Sequence, residues 1–312
     1  MTRVFINQFE EGQQIAAPFL IKTKQLLPFK SKNGKFLHLV VGDKTGDIEG
    51  RLWENGEEIF TQINDLFVVT IEGEVVRFRD ALQLNITGIR PCSDFSPADF
   101  LPESPKDRNE MINTLRRHVA GITNPHLKSF IKTLFGDNEF FQRFTLAPAA
   151  KHHHQAYLGG LLEHTLGVVS ICQSLAQIYP GVNGDLLTVG AIIHDMGKVE
   201  ELAYSDTIDY TDQGRLIGHI VIGAQLAGKV VEKLPDFPEE LGYKLIHMIV
   251  SHHGQYEWQS PKRPQFLEAM LLHHADMLDS QVDKFLRVHE QAKGEAAWSP
   301  WIKGLDRYLY LK

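Results

Sequence analysis

An ordered series of histidines and aspartates runs through the apolar, helix-patterned C-terminal part of this chain: His164, His194-Asp195, His219, His252-His253 and Asp276. This series limits the fold more than any other feature. Imidazoles and carboxylates buried among apolar side chains are costly unless something satisfies them. Divalent cations do so best, and paired cations are a common device for cleaving phosphate esters. A fold that gathers these groups is expected to hold metal and to hydrolyse phosphoester bonds.

With 312 residues the chain is long enough for two domains. Its first part reads as strands. FLIKTKQLL, KFLHLVVGD, DIEGRLW, LFVVTIEGEVVRF and ALQLNITGI are rich in β-branched and aromatic residues, with partial two-residue alternation. Turns are expected at Asn33-Gly34 and at Asp43-Lys44-Thr45-Gly46, the latter with Gly46 at positive φ. Five short strands with a tight central hairpin predict a small barrel of the OB type. Residues 92–108 contain three prolines and read as linker. From Asn109 onward apolar residues recur at three- and four-residue spacings, which predicts helices. The expected class is multidomain α and β: an OB-type β-barrel over 1–95, a linker with connecting helices over 96–148, and an all-α domain over 149–312.

Within the helical part, Leu187, Gly190, Ala191 and His194 share one helix face, so His194 is expected to point into the core. Asp195 lies one step round, and a carboxylate can bridge two cations where an imidazole cannot. His164 and Asp276 sit in apolar surroundings, LLEHTLGVV and AMLLHHADMLDS. An aspartate in such a place is expected to face a cation. His219 opens one helix and His252-His253 close another. They are read as a second ligand group, which makes two cations with Asp195 between them the expectation. Which of His252 and His253 binds stays open. Lys198 follows Asp195 in HDMGK, either to reach phosphate oxygens or to complement a helix end. His273 and His274 are candidates for orienting ligands. His152-His153-His154 form an internal triplet of open role.

The bulk numbers exclude several classes. Net charge is -7, which argues against a protein that coats nucleic acid by bulk charge. The start of the chain lacks a signal-peptide pattern and no run is long enough to span a bilayer. Two distant cysteines, Cys92 and Cys172, provide neither a thiolate metal site nor a disulfide framework. A cytoplasmic location is expected.

The pattern H…HD…D on successive helices resembles the HD superfamily of metal-dependent phosphohydrolases. More narrowly, an OB-type domain followed by PAAKHHHQAYLGGLLEHTLGV, HDMGK, GHIVIG, SHHGQ and HHADMLDS is similar to the YhaM-type 3′→5′ exoribonucleases. The His152-His154 run departs from a shorter histidine pair. The resemblance implies an HD-type helical domain with His164, His194, Asp195 and Asp276 as ligands, and with His219, His252 and His253 as the added set. It implies hydrolysis of single-stranded RNA from its 3′ end with release of nucleoside 5′-monophosphates, usually with Mn²⁺. The donor types themselves also admit Fe²⁺, Co²⁺, Zn²⁺ or Mg²⁺. Single-stranded DNA as a substrate and self-association stay open.

On the barrel, Lys22, Lys24, Lys30, Lys32, Lys35, Phe36, Arg51 and Trp53 are the candidate contacts to nucleic acid, as basic groups interleaved with aromatic platforms. Two further functions compete: hydrolysis of a small nucleotide (a dNTP or cyclic nucleotide), and nucleic-acid binding without catalysis around a structural metal. The residues after the paired histidines, Gly254-Gln255-Tyr256-Glu257, lack the Gly-Tyr-Pro element of cyclic dinucleotide hydrolases. That weakens the first competitor.

Overall fold

The computed structural model describes residues 4–29, 33–151, 155–292 and 296–312. The chain divides into two compact units, residues 1–102 with 204–207 and residues 103–203 with 208–312.

In the first unit the strands are β1 (Gln14–Pro28), β2 (Lys35–Asp43), β3 (Gly46–Leu52), β4 (Val68–Phe78) and β5 (Ala81–Pro91), with α1 (Gly56–Gln62) between β3 and β4. They close into a barrel in the order β1-β2-β3-β5-β4, and β4 returns to β1. All pairs are antiparallel except β3 with β5. This is the expected OB-like barrel, and closure leaves it no open edge. Alternation sets the interior: Leu37, Leu39 and Val41 of β2 point inward and are fully buried. Phe19, Ile71, Val75 and Leu84 meet them from the other strands. One turn forms differently from expectation. Gly46 is not among the residues with positive φ. The Asp43 carboxylate instead accepts from the backbone N–H and the hydroxyl of Thr45, at 2.7 and 2.5 Å, so the side chain makes the turn.

The second unit holds α2 (Arg108–Gly121), α3 (Pro125–Phe135), α4 (Asn138–Leu146), α5 (Gly160–Ile178), α6 (Gly184–Ile193), α7 (Lys198–Glu201), α8 (Asp212–Ile217), α9 (His219–Glu232), α10 (Glu239–Ser251) and α11 (Leu267–Gln291). Asp107, Asn124, Asp137 and Asn183 cap α2, α3, α4 and α6 by accepting from first-turn N–H groups. Helix α6 is apolar on every side, and every residue from Leu186 to Ile193 is buried. A helix of that kind must be central. Helices α3, α5, α10 and α11 pack around it.

The helical expectation holds with two departures. A short hairpin, β6 (Leu202–Ala203) with β7 (Asp209–Tyr210), interrupts the helices. The aromatic C-terminal segment is irregular, with isolated bridges Trp298–Tyr310 and Ile302–Arg307.

Candidate metal centre

The seven expected ligand residues come together in the second unit. His164 lies in the first half of α5 and Asp276 on α11. His194 and Asp195 do not lie within a helix as their spacing implied. Helix α6 ends at Ile193, His194 caps it, and Asp195 follows in the turn before α7. Gly197 makes that turn possible: a Cβ there would lie 2.0 Å from the His219 carbonyl oxygen and 2.7 Å from the Gly223 nitrogen. The turn therefore rests directly on the first turn of α9, which begins with His219. His252 caps α10, with His253 next in the chain.

Each imidazole is oriented by a partner on its Nδ1. Asp279 Oδ2 lies 2.7 Å from His164 Nδ1, and Glu201 Oε1 lies 3.0 Å from His219 Nδ1. Carbonyl oxygens of Ala191, Ile249 and Trp258 lie 2.8, 2.6 and 2.8 Å from Nδ1 of His194, His252 and His253. A carbonyl or carboxylate oxygen only accepts, so every Nδ1 must carry the proton and every neutral ring keeps its lone pair on Nε2. Gly167 helps to place Asp279, because a Cβ there would lie 2.0 Å from Asp279 Oδ1.

The Nε2 atoms converge on the Asp195 carboxylate in two sets. Oδ2 faces His164 at 3.6 Å and His194 at 3.5 Å. Oδ1 faces His219 and His252, both at 3.5 Å. Asp276 Oδ1 joins the first set, 3.1 Å from His164 Nε2 and 3.9 Å from His194 Nε2. Two triads have donor atoms close enough to share a cation: His164, His194 and Asp195 in one, His219, His252 and His253 in the other. Three atoms on the second side, Asp195 Oδ1, His219 Nε2 and His252 Nε2, are buried without a hydrogen-bond partner. On the first side, the Nε2 atoms of His164 and His194 lie 3.3 Å apart. Lone pairs facing one another in a buried site repel unless a proton or a cation lies between them. The residues therefore fit divalent metal ions, and the sharing of Asp195 fits two.

The charge states follow from the same packing. Burial opposes ionisation of Asp195, yet Lys198 and His194 hold its carboxyl well below the usual range. Burial likewise opposes ionisation of Asp276, and the hydrogen bond from His164 overcomes it. His164 is buried, which disfavours its cation, but Asp276 and Asp279 raise it to about 9. Burial and the neighbouring His252 and His219 push His253 down to about 3, and burial also lowers His252. Lys198 is buried and raised by Asp195, whose Oδ2 accepts from its ammonium at 2.5 Å.

Two cavities open on this cluster. One, of about 480 Å³, is lined by Asp195, Asp276, Lys198 and His253; the other, of about 410 Å³, is lined by Glu201, His219, Lys198 and His253. His273 also lies beside the cluster, donating from Nδ1 to the His252 carbonyl at 2.8 Å, whereas His274 is exposed. His152-His153-His154 lie outside the described residues. Spacing did not identify Asp279 or Glu201 as orienting groups. Their only sequence signal was an acid three residues after Asp276 and another three after Lys198.

On the barrel, Phe36 and Trp53 meet at 4.7 Å between ring centroids, and Phe29 stacks on Trp53 at 6.1 Å. The Arg51 guanidinium lies 6.0 Å from the Trp53 ring and Trp53 is 42% exposed, so this cluster presents an aromatic face. Lys22 and Lys35 lie at the surface, 4.0 and 3.7 Å from Asp47 and Glu57. Lys24 differs from expectation: its ammonium is tied to the carbonyl oxygens of Ile63 and Asn64 and serves the loop after α1. Lys30 and Lys32 lie outside the described residues.

An OB-like barrel in one unit and histidines and aspartates gathered by helices in the other define a protein with an HD domain, and the HD domain family model matches residues 161–281. The 3′-5′ exoribonuclease YhaM of a Geobacillus species is 35% identical over 294 residues, 92% of this chain and 89% of that protein. YhaM of Bacillus subtilis is 35% identical, covering 91% and 90% of the two chains, and YhaM of Listeria innocua is 34% identical, covering 96% and 95%. The chain belongs to the YhaM family. Among the described residues no helix is long and apolar enough to cross a membrane.

Proposed function

We propose that this protein is a metal-dependent 3′→5′ exoribonuclease that removes nucleoside 5′-monophosphates from single-stranded RNA. The observation that carries the reading is the division of the Asp195 carboxylate between two sets of imidazoles. His164, His194, Asp276 and one oxygen of Asp195 would hold one cation. His219, His252, His253 and the other oxygen would hold the second. When bound, such cations acidify a water and neutralise charge on a phosphoryl group. Imidazole and carboxylate donors without thiolate suit Mn²⁺, Fe²⁺, Co²⁺ or Zn²⁺, and Mn²⁺ is the proposed ion.

The chain's own groups do the rest. Asp279 and Glu201 keep His164 and His219 in the tautomer that leaves Nε2 free. Lys198 lines both cavities, so its ammonium stands where a scissile phosphate would pass and offsets charge on the non-bridging oxygens. The buried walls around His164 and His194 keep bulk water from the donor atoms. The barrel would hold the incoming strand, with bases on the Phe36–Trp53 face and phosphates near Arg51, Lys22 and Lys35. Free Cys92 and Cys172 agree with a cytoplasmic enzyme.

The test supplies purified protein and Mn²⁺ with 5′-labelled single-stranded RNA, single-stranded DNA, dNTPs and cyclic nucleotides. A ladder shortening from the 3′ end of RNA is the expected outcome. Turnover of free nucleotides alone, or binding without cleavage, would overturn the proposal.

A further inference from the structure

We propose that the indole of Trp258 is the platform on which the 3′-terminal base of the substrate stacks, in the cavity of about 480 Å³ beside the metal cluster. This rests on the exoribonuclease reading and assigns the terminal nucleoside its place within it. The cavity is lined by Asp195 and Asp276 themselves, so a phosphoryl group at the cluster has its attached nucleoside within that space. The volume is on the scale of one small organic ligand. Trp258 is 52% exposed, although tryptophan is among the most costly side chains to leave in water. The ring meets its aromatic neighbour, His273, only obliquely, at 6.0 Å between centroids and 37° between planes.

The backbone of this residue is fixed independently of the ring. Its carbonyl accepts from His253 Nδ1 at 2.8 Å, and its N–H donates to the Gln255 carbonyl at 3.1 Å. The turn that orients one histidine of the cluster therefore also presents the indole to the cavity, which sets the distance between stacked base and scissile phosphate. Ser280 and Lys284 line the same cavity, one and two turns beyond Asp276 on the same face of α11; the Lys284 ammonium offers donors to a terminal ribose, and the Ser280 hydroxyl, which donates to the Met277 carbonyl at 3.0 Å, offers an acceptor. Stacking reads no sequence, because every base has a π face. That is what an enzyme removing each nucleotide in turn requires.

The experiment crosses wild type, Trp258→Ala and Trp258→Phe with two short RNAs, one natural and one lacking only its 3′-terminal base. Initial kcat/KM for removal of the last nucleotide is measured, together with quenching of tryptophan emission by a nucleoside 5′-monophosphate. Trp258→Ala should lose about tenfold on natural RNA, and Trp258→Phe much less. The abasic end should cost wild type about tenfold and Trp258→Ala nothing further. Quenching should fall in Trp258→Ala, with metal affinity and melting temperature unchanged. Losses that multiply to about a hundredfold would overturn the assignment while leaving the nuclease reading intact. So would a fall in metal affinity that accounts for the whole defect. Wild type that shortens neither RNA would overturn both.

Discussion

Replacing Asp279 with alanine should weaken one of the two cation sites and spare the other. Asp279 Oδ2 is 2.7 Å from Nδ1 of His164, a ring with no exposed surface. Removing the carboxylate leaves a buried N–H without that acceptor, at a cost of about 1–3 kcal/mol. It also frees the ring to place its proton on Nε2, where no cation can then bind. Loss of an orienting carboxylate of this kind typically weakens metal binding about 10–100-fold, or about 1.4–2.8 kcal/mol. The Nε2 atoms of His219 and His252 are oriented by Glu201 and by the Ile249 carbonyl, so the second set should keep its affinity. Calorimetric titration of metal-free protein with Mn²⁺ separates the two events, and Glu201→Ala should show the converse defect. The reasoning is refuted if Asp279→Ala binds both ions with wild-type affinity, or loses both equally.

Metal binding should release a proton. Without metal His164 is held protonated up to about 9, and a cation at its Nε2 must displace that proton. Affinity at that site should therefore rise with pH up to about 9; calorimetry in buffers of different ionisation enthalpy at pH 7.5 should find about one proton released when the His164 site fills, and none when the set with neutral His252 and His253 does. The same raised value stabilises the metal-free fold below the unfolded value of about 6.5, a contribution lost as pH rises through about 9 and readable in its melting temperature. Asp195→Asn removes the charge shared by both sets and should lower cleavage at least ~100-fold, while RNA retention in a filter-binding assay stays near wild type. Gly197→Ala drives a methyl into the His219 carbonyl; a loss of about 1–3 kcal/mol in denaturant unfolding and weaker binding at the second set are expected.

Where local chemistry decides the outcome, the sequence was legible. Alternation in KFLHLVVGD put Leu37, Leu39 and Val41 inside the barrel, and the apolar run around His164 placed that histidine in the core. The ligand series itself was visible because a core rarely tolerates several imidazoles and carboxylates unless a cation joins them. Non-local pairing hid the rest. Asp279 reaches His164 from 115 residues away, and Lys24 finds its carbonyls across 39 and 40 residues. No periodicity reports such contacts. Helix α1 escaped notice because seven residues make too short a pattern, and its start at Asn55 takes a left-handed conformation instead of a side-chain cap. The break between His194 and Asp195 was missed because Gly197 acts through close backbone contact with α9, which only the tertiary fold creates.

Lys198 gives the pairing with Asp195 a consequence for folding. Its ammonium already neutralises the shared carboxylate in the absence of any ion. A buried acid is tolerated when a cationic group pairs with it, so this lysine lowers the cost of closing the fold around Asp195.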